Sequence, residues 1–219
     1  MATDASKPVV LLLQVGRKFH RRFAKIKWGS LFTALEARSD VKYATTTEEA
    51  KTLMDLHRNP RGIFVSDSGI TKKRNNGVTR RLVRFVRTGG TVIFGAEFSS
   101  SGWPDSNEYF EEAWSLPWKR SDGRRSPTVY LNTSSAGRPE SGIPPSYRLR
   151  GSPVENVNIA SAWYVAGEDI VWDTPGSSHD PNVDEAPLTW DLASEGTIFK
   201  SLGFSAGLIG DTCEAYIIF

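Results

Sequence analysis

The run "PVVLLLQV" (8–15) constrains this chain more than any other stretch. Gln14 is its one polar residue, so the run lacks the alternation of a strand with one solvated face. It suits a strand covered on both sides, and such strands belong to parallel sheets with helices above and below. The next segments keep to that plan. From Trp28 to Leu35 the apolar residues Trp28, Leu31, Phe32 and Leu35 recur at helical spacing, and "VKYATT" (41–46) supplies a second strand. "TEEAKTLMDLH" (47–57) reads as a helix with Thr47 as its cap and acids in its first turn. "RGIFVSDSGIT" (61–71) is a third strand with its exit loop. "VTRRLVRFVRTGG" (78–90) is a helix with a broad apolar face, stopped by Gly89 and Gly90 before the strand "TVIFG" (91–95). The order βαβαβαβ predicts an α/β fold: an open, doubly wound, mostly parallel sheet.

Beyond Ser101 the pattern changes. "WPDSNEYFEEAWSLPW" (103–118) reads as a short amphipathic helix, and residues 119–155 as an irregular inserted excursion rich in Gly, Pro, Ser and Arg, with one strand-like piece, "TVYLN" (128–132). "ASAWYVAG" (160–167) and "GTIFKSLG" (196–203) are further strands, and "DTPGSSHDPNVDEAP" (173–187) is a polar loop between them. A length of 219 residues with 39% hydrophobic content fits one domain, 1–219, with a full core.

The lone cysteine, Cys213, excludes an intramolecular disulfide or a multi-cysteine metal site and points to a reducing, cytoplasmic setting. Val9 to Leu13 is too short for a secretory core or a membrane span. The net charge of +2 hides a polarity: residues 1–150 hold 26 of the 27 Lys and Arg against 14 acids, and residues 151–219 hold Lys200 against 11 acids. The basic clusters "RKFHRRFAKIK" (17–27) and "TKKRNNGVTRR" (71–81) lack any accompanying nucleic-acid-binding signature, so the expectation is no nucleic-acid partner. The polarity serves internal packing or a contact between copies in a homo-oligomer.

Several blocks carry a resemblance in their order and spacing: "DSGIT" (67–71), "LVRFVRTGGTVIFGAEFSS" (82–100), "SLPWKR" (115–120), "TVYLN" (128–132), "IPPSYRLR" (143–150), "AWYV" (162–165), "SSH" (177–179) and "GLIGD" (207–211). Together they resemble a fungal group of class I glutamine amidotransferase-like proteins. The resemblance implies a flavodoxin-like sheet with its site at the turn after "TVIFG". Working amidotransferases place a nucleophilic cysteine at that turn; here it reads Gly95-Ala96-Glu97-Phe98-Ser99. Glutamine hydrolysis by the thiol route is therefore not expected. Cys213 has Asp211 and Glu214 as near neighbours in sequence, which disfavour a thiolate, and it reads as a packing residue.

Glu97 is the leading candidate for chemistry. A carboxyl group in a half-buried crevice at a strand end is poised by desolvation for general acid or base work, although the same residue type also caps helices or pairs with an Arg. Asp67 and Ser68 end the neighbouring strand and reach the same crevice, unless "SDSG" is an Asx turn in which Asp67 serves its own loop. His179 lies in the polar loop, where the resembling proteins also carry a histidine, and suits proton shuttling. Ser99 and Ser100 offer hydroxyls to an anion or to a helix cap, and Phe98, Trp103 and Trp118 flank the turn as walls of an apolar pocket. No histidine pair or acidic loop has metal-ligand spacing, and no glycine loop cradles phosphate, so neither a metal nor a cofactor is expected.

Two functions follow. The first is a cofactor-independent acid–base enzyme of hydrolase, lyase or isomerase type, acting on a small organic molecule, with Glu97 as proton-transfer group assisted by His179 or Asp67; the resemblance sets it in fungal specialised metabolism. The second is a non-catalytic descendant of the amidotransferase fold that binds a ligand or a protein.

Overall fold

The computed structural model describes residues 7–16, 18–98, 106–120, 128–133, 144–148, 154–158, 162–166, 188–193 and 196–201, with no side chains described for 18–27, 106–107, 120, 148, 154–155, 166, 188–193 and 196–201. Ser99, Ser100, Trp103, His179 and Cys213 lie outside the described residues.

The chain runs β1 (Val9–Leu13), α1 (Lys18–Arg38), β2 (Asp40–Ala44), α2 (Thr47–Leu56), β3 (Gly62–Val65), α3 (Asn76–Arg87), β4 (Thr91–Phe94) and α4 (Ser106–Trp114). It continues through β5 (Lys119–Arg120), β6 (Thr128–Leu131), β7 (Ser146–Arg148), β8 (Val154–Glu155), β9 (Ala162–Ala166), β10 (Leu188–Ala193) and β11 (Gly196–Ser201). Among the described residues nine strands form one sheet in the order β2-β1-β3-β4-β11-β10-β9-β6-β7, and β5 pairs with β8 in a separate ladder.

The first half of that sheet is parallel: β1 pairs with β2 and β3, and β4 with β3 and β11. From β11 onward every pairing is antiparallel. The sheet is thus mixed, which corrects the expectation of a mostly parallel one. Two features produce the difference. Residues 119–155 are less irregular than their composition suggests, because Thr128–Leu131 and Ser146–Arg148 pair with each other and extend the sheet. Leu188–Ala193, which carries no long apolar run, gains its strand from pairing with β11 on one side and β9 on the other.

The two faces of the parallel half are covered differently. Leu11, Leu13, Val15, Ile63, Val65, Val92 and Phe94 join residues of α2, α3 and α4 in the larger core cluster. Val10 and Leu12 pack on the other face against Trp28, Phe32 and Leu35 of α1, together with Ala96. Helices on both faces make this an open α/β fold, with strand order reversing between β1 and β3. In such sheets that reversal opens a crevice outside the carboxyl ends of the strands.

Local chemistry sets the element boundaries. α1 is longer than its apolar spacing predicts and is kinked at Trp28, whose φ of −117° and ψ of 15° leave the helical region. The cap of α2 is Thr46 instead of Thr47; its side chain accepts from the Glu49 N–H, and Thr47 donates to the buried Asn75 side chain. α3 ends where Gly89, at φ 91°, takes a left-handed turn that a Cβ would disfavour. On the larger face Phe94 meets Phe98 at 4.8 Å and Phe110 and Trp114 edge-on at 5.6 and 5.7 Å. Such rings contribute through area and through edge-to-face geometry.

Candidate active site at the carboxyl ends of the parallel strands

Register places the exits of β3 and β4 side by side, with Val65 opposite Phe94 and the Gly95 N–H donating to the Val65 carbonyl at 3.0 Å. Each exit turns at once into a 3-10 turn, Ser68–Thr71 after β3 and Ala96–Phe98 after β4, and the two turns pack together. Each presents a buried carboxylate, Asp67 at 5% exposure and Glu97 at 9%. Groups this buried need partners, since desolvating a carboxylate costs far more than one ordinary hydrogen bond returns.

Asp67 takes two backbone donors. One oxygen accepts from the Gly69 N–H at 2.7 Å, closing an Asx turn, and the other accepts from the Gly16 N–H at 3.1 Å, tying the exit of β1 to the exit of β3. The loops approach so closely that a Cβ on Gly69 would lie 2.5 Å from the Gly16 Cα, and one on Gly16 would lie 2.7 Å from an Asp67 oxygen. Asn75, fully buried, donates from its amide to the Gly69 carbonyl and holds the turn from behind. Ser68, half-buried, opens the turn, and its carbonyl accepts from the Thr71 hydroxyl.

Glu97 is held through a side chain. The Trp28 indole N–H donates to its Oε1 at 2.9 Å, across 69 positions of sequence. Two backbone departures make that bond: the kink of α1 at Trp28, and Ala96 at φ 53°. A left-handed alanine costs about 1 kcal/mol. Here it lets consecutive side chains diverge, with Ala96 packed under α1 and Phe98 packed in the larger core. Strain at a strand exit is found where a side chain must be aimed.

Further polar residues line the α1 side of this rim. Leu13 and Val15 both pack in the larger core, so alternation along the strand puts Gln14 on the α1 side. Ser66 lies on that side by the same argument, fully buried, with its hydroxyl donating to the Leu13 carbonyl at 3.2 Å. Gln14 and Trp28 escape a reading of the sequence because both sit inside strongly apolar patterns. Gln14 as the one polar residue in its run was the available signal.

The structure brings Glu97, Asp67 and Ser68 to one edge of the sheet. Phe98 and Trp118 are placed in the core: Phe98 is fully buried, and Trp118, 2% exposed, lies 5.5 Å from Phe110. Neither offers its ring to a crevice in this arrangement, because both fill the aromatic layer beneath β4. Among the described residues no group of three or more His, Cys, Asp and Glu side chains could hold a metal ion, and no helix is long and apolar enough to cross a membrane.

No family model matches the chain, and no curated protein matches it in sequence. Among solved structures it is similar to a protein described as ThuA-like from Bacteroides uniformis, with a TM-score of 0.57 and 8% identity over 92% of this chain and 83% of that one. A second ThuA-like protein, from Parabacteroides merdae, aligns at a TM-score of 0.46 and 18% identity, over 92% and 81% of the two chains. A β-galactosidase from Bacillus circulans aligns at 0.44 and 13% identity over 90% of this chain, which spans 28% of that enzyme's length. The first of these supports the α/β fold.

Proposed function

We propose that the chain is a single amidotransferase-like domain of flavodoxin-like plan whose crevice binds a small organic molecule, and that Glu97 transfers a proton to or from it without a cofactor. The carrying observation is Glu97 itself: a carboxylate 9% exposed, at the exit of a parallel strand, aimed by a left-handed Ala96 and held by an indole on a kinked helix. Its place after β4 is where the resembling amidotransferases carry their cysteine, so the exposed-nucleophile geometry would serve a proton-transfer group instead.

A base needs an ionised, oriented carboxylate, and an acid needs a protonated one. The Trp28 N–H donating to Oε1 favours the ionised form and burial favours the protonated one, so Glu97 is placed to serve as a general acid or base. Trp28 is a positioning residue in this scheme. His179 or Asp67 would assist by relaying the proton, with Ser68, Ser99, Ser100 and Trp103 around the ligand.

The engagement of Asp67 by two backbone N–H groups favours a second reading, in which the crevice binds a ligand without converting it. One experiment separates the two: a thermal-shift screen of wild type and Glu97→Gln against metabolites rich in carboxylates, amides and aromatic polyketides, with mass spectrometry of each hit. The enzyme reading expects a ligand that stabilises both proteins and is converted by wild type about 100- to 10,000-fold faster. Equal binding with no conversion by either overturns it in favour of the binding role.

A further inference from the structure

Gln14 is 8% exposed, and its side-chain amide makes no hydrogen bond with any described residue. The residue thus holds a polar side chain without an intramolecular partner among the described residues, just past the end of a central strand. Its backbone is satisfied, since the N–H donates to the Ala44 carbonyl at 2.8 Å. The side chain carries a carbonyl acceptor and an NH₂ donor, and these atoms keep some access to solvent at the strand end, where a leucine, as at Leu12 two positions before, would present no polar edge.

The placement gives this amide a direction. Gln14 follows β1 directly and Glu97 follows β4, with β3 and the buried Ser66 just past its end between them. Neighbouring strands are about 4.8 Å apart, so the ends of β1 and β4 lie about 10 Å from each other across the strand-order reversal. A molecule of one small ring spans that width. Both residues belong to the α1 side: Gln14 by alternation between Leu13 and Val15, and Glu97 by its bond to Trp28.

We infer that Gln14 is the ligand-orienting residue of this crevice and that it takes a neutral molecule carrying an amide edge, with a donor and an acceptor side by side. This rests on the reading of the crevice as the site, and it adds the chemistry of what is held there. A carboxamide is matched atom for atom by another amide: its NH₂ donates to the ligand carbonyl while its oxygen accepts from the ligand N–H. The same edge could not pair in both places with a carboxylate, which only accepts, and the buried carboxylate of Glu97 disfavours an anion beside it. Gln14 binds and orients; the proton transfer stays with Glu97.

The test uses 2-pyrrolidinone, a five-membered lactam with this edge, and acetate as the anionic counterpart, each titrated to tens of millimolar into the full chain labelled with ¹⁵N. The expected result is that the lactam moves the Gln14 side-chain NH₂ and Trp28 indole resonances in wild type. Its affinity then falls about tenfold in Gln14→Leu, the size expected for one lost hydrogen-bonded contact. Acetate leaves both resonances in place. Silence of the Gln14 NH₂ toward the lactam overturns the inference, as does equal affinity in Gln14→Leu or an equal response to acetate. The wild-type titration stands even if the variant does not fold. Failure here is distinct from failure of the catalytic reading: turnover lost in Glu97→Gln with a silent Gln14 sinks only this inference, and lactam binding at Gln14 with no conversion of any ligand sinks only the other.

Discussion

The exits of β3 and β4 are neighbours in the sheet, each ends in a 3-10 turn, and each buries a carboxylate, yet they hold it by different means. Asp67 is gripped by backbone N–H groups of two loops so close that neither glycine admits a side chain. Glu97 is gripped by an indole from a helix on the opposite face to α2, α3 and α4. A carboxylate bonded to backbone is committed to the path of its loop, because the loop cannot move without losing it. One bonded to a side chain can exchange that partner for a ligand by a rotamer change. On the proposed reading, this difference makes Asp67 chiefly a part of the frame, with at most an assisting role, and leaves the main proton transfer to Glu97.

The sharpest ways to break this contrast act on the β3 exit. Gly69→Ala should destabilise the fold by about 3 kcal/mol, since the new methyl meets the Gly16 backbone and no flexible side chain can yield. Urea denaturation of the variant checks it, and a wild-type midpoint would mean that the loops are not packed as described. Asp67→Ala should cost about 2 kcal/mol by leaving the Gly16 and Gly69 N–H groups without their acceptor. If stability held while turnover vanished, Asp67 would belong to the chemistry and the contrast would reverse.

At the β4 exit the effect on stability is smaller and the effect on function larger. Trp28→Phe keeps an aromatic ring but loses the indole N–H, and the lost hydrogen bond to a carboxylate alone costs about 1.5 kcal/mol. It should also move the acid limb of the pH–rate profile to higher pH, because the ionised form of Glu97 loses a donor. A role confined to packing would leave that limb in place.

A control lies beneath the same strand. Tyr109 packs 6.4 Å from Phe94, and burial, the main cause, pushes its phenol up to about 12, with Thr79 and Trp114 pulling it partly back. Those three polar atoms gather in the interface of α3 and α4 without reaching hydrogen-bond geometry. The folded state therefore prefers the neutral phenol. The associated stability is complete below the unfolded value near 10 and is lost as pH rises from there through about 12. Tyr109→Phe should flatten the fall in melting temperature over that window, with little change in the Glu97-dependent profile.

These regions were not equally legible in the sequence. β1 to β4 and α2 to α4 follow from apolar runs and helical spacing because burial on two faces or one stripe writes itself into residue type. Glu97 and Asp67 could be singled out for the same reason, as acids at the ends of such runs. Which of them serves its own loop could not, since the answer depends on Gly16 and Trp28, separated from them by 51 and 69 positions. Trp28 looked like any other member of an apolar helix stripe, and the kink that turns its N–H toward Glu97 has no proline to announce it. The antiparallel half was hidden because β7 and β10 are strands by virtue of their neighbours, with little intrinsic pattern.

The central claim is that the Glu97 carboxyl group faces the ligand. The most direct measurement is ¹³C NMR of the protein labelled at glutamate carboxyl carbons, with the Glu97 signal assigned by its loss in Glu97→Gln, followed through a pH titration with and without the ligand found by screening. The account predicts that ligand displaces the titration of this one carboxyl group and leaves the exposed Glu48 and Glu49 signals unmoved. A Glu97 signal indifferent to ligand would contradict it and make this carboxylate part of the frame.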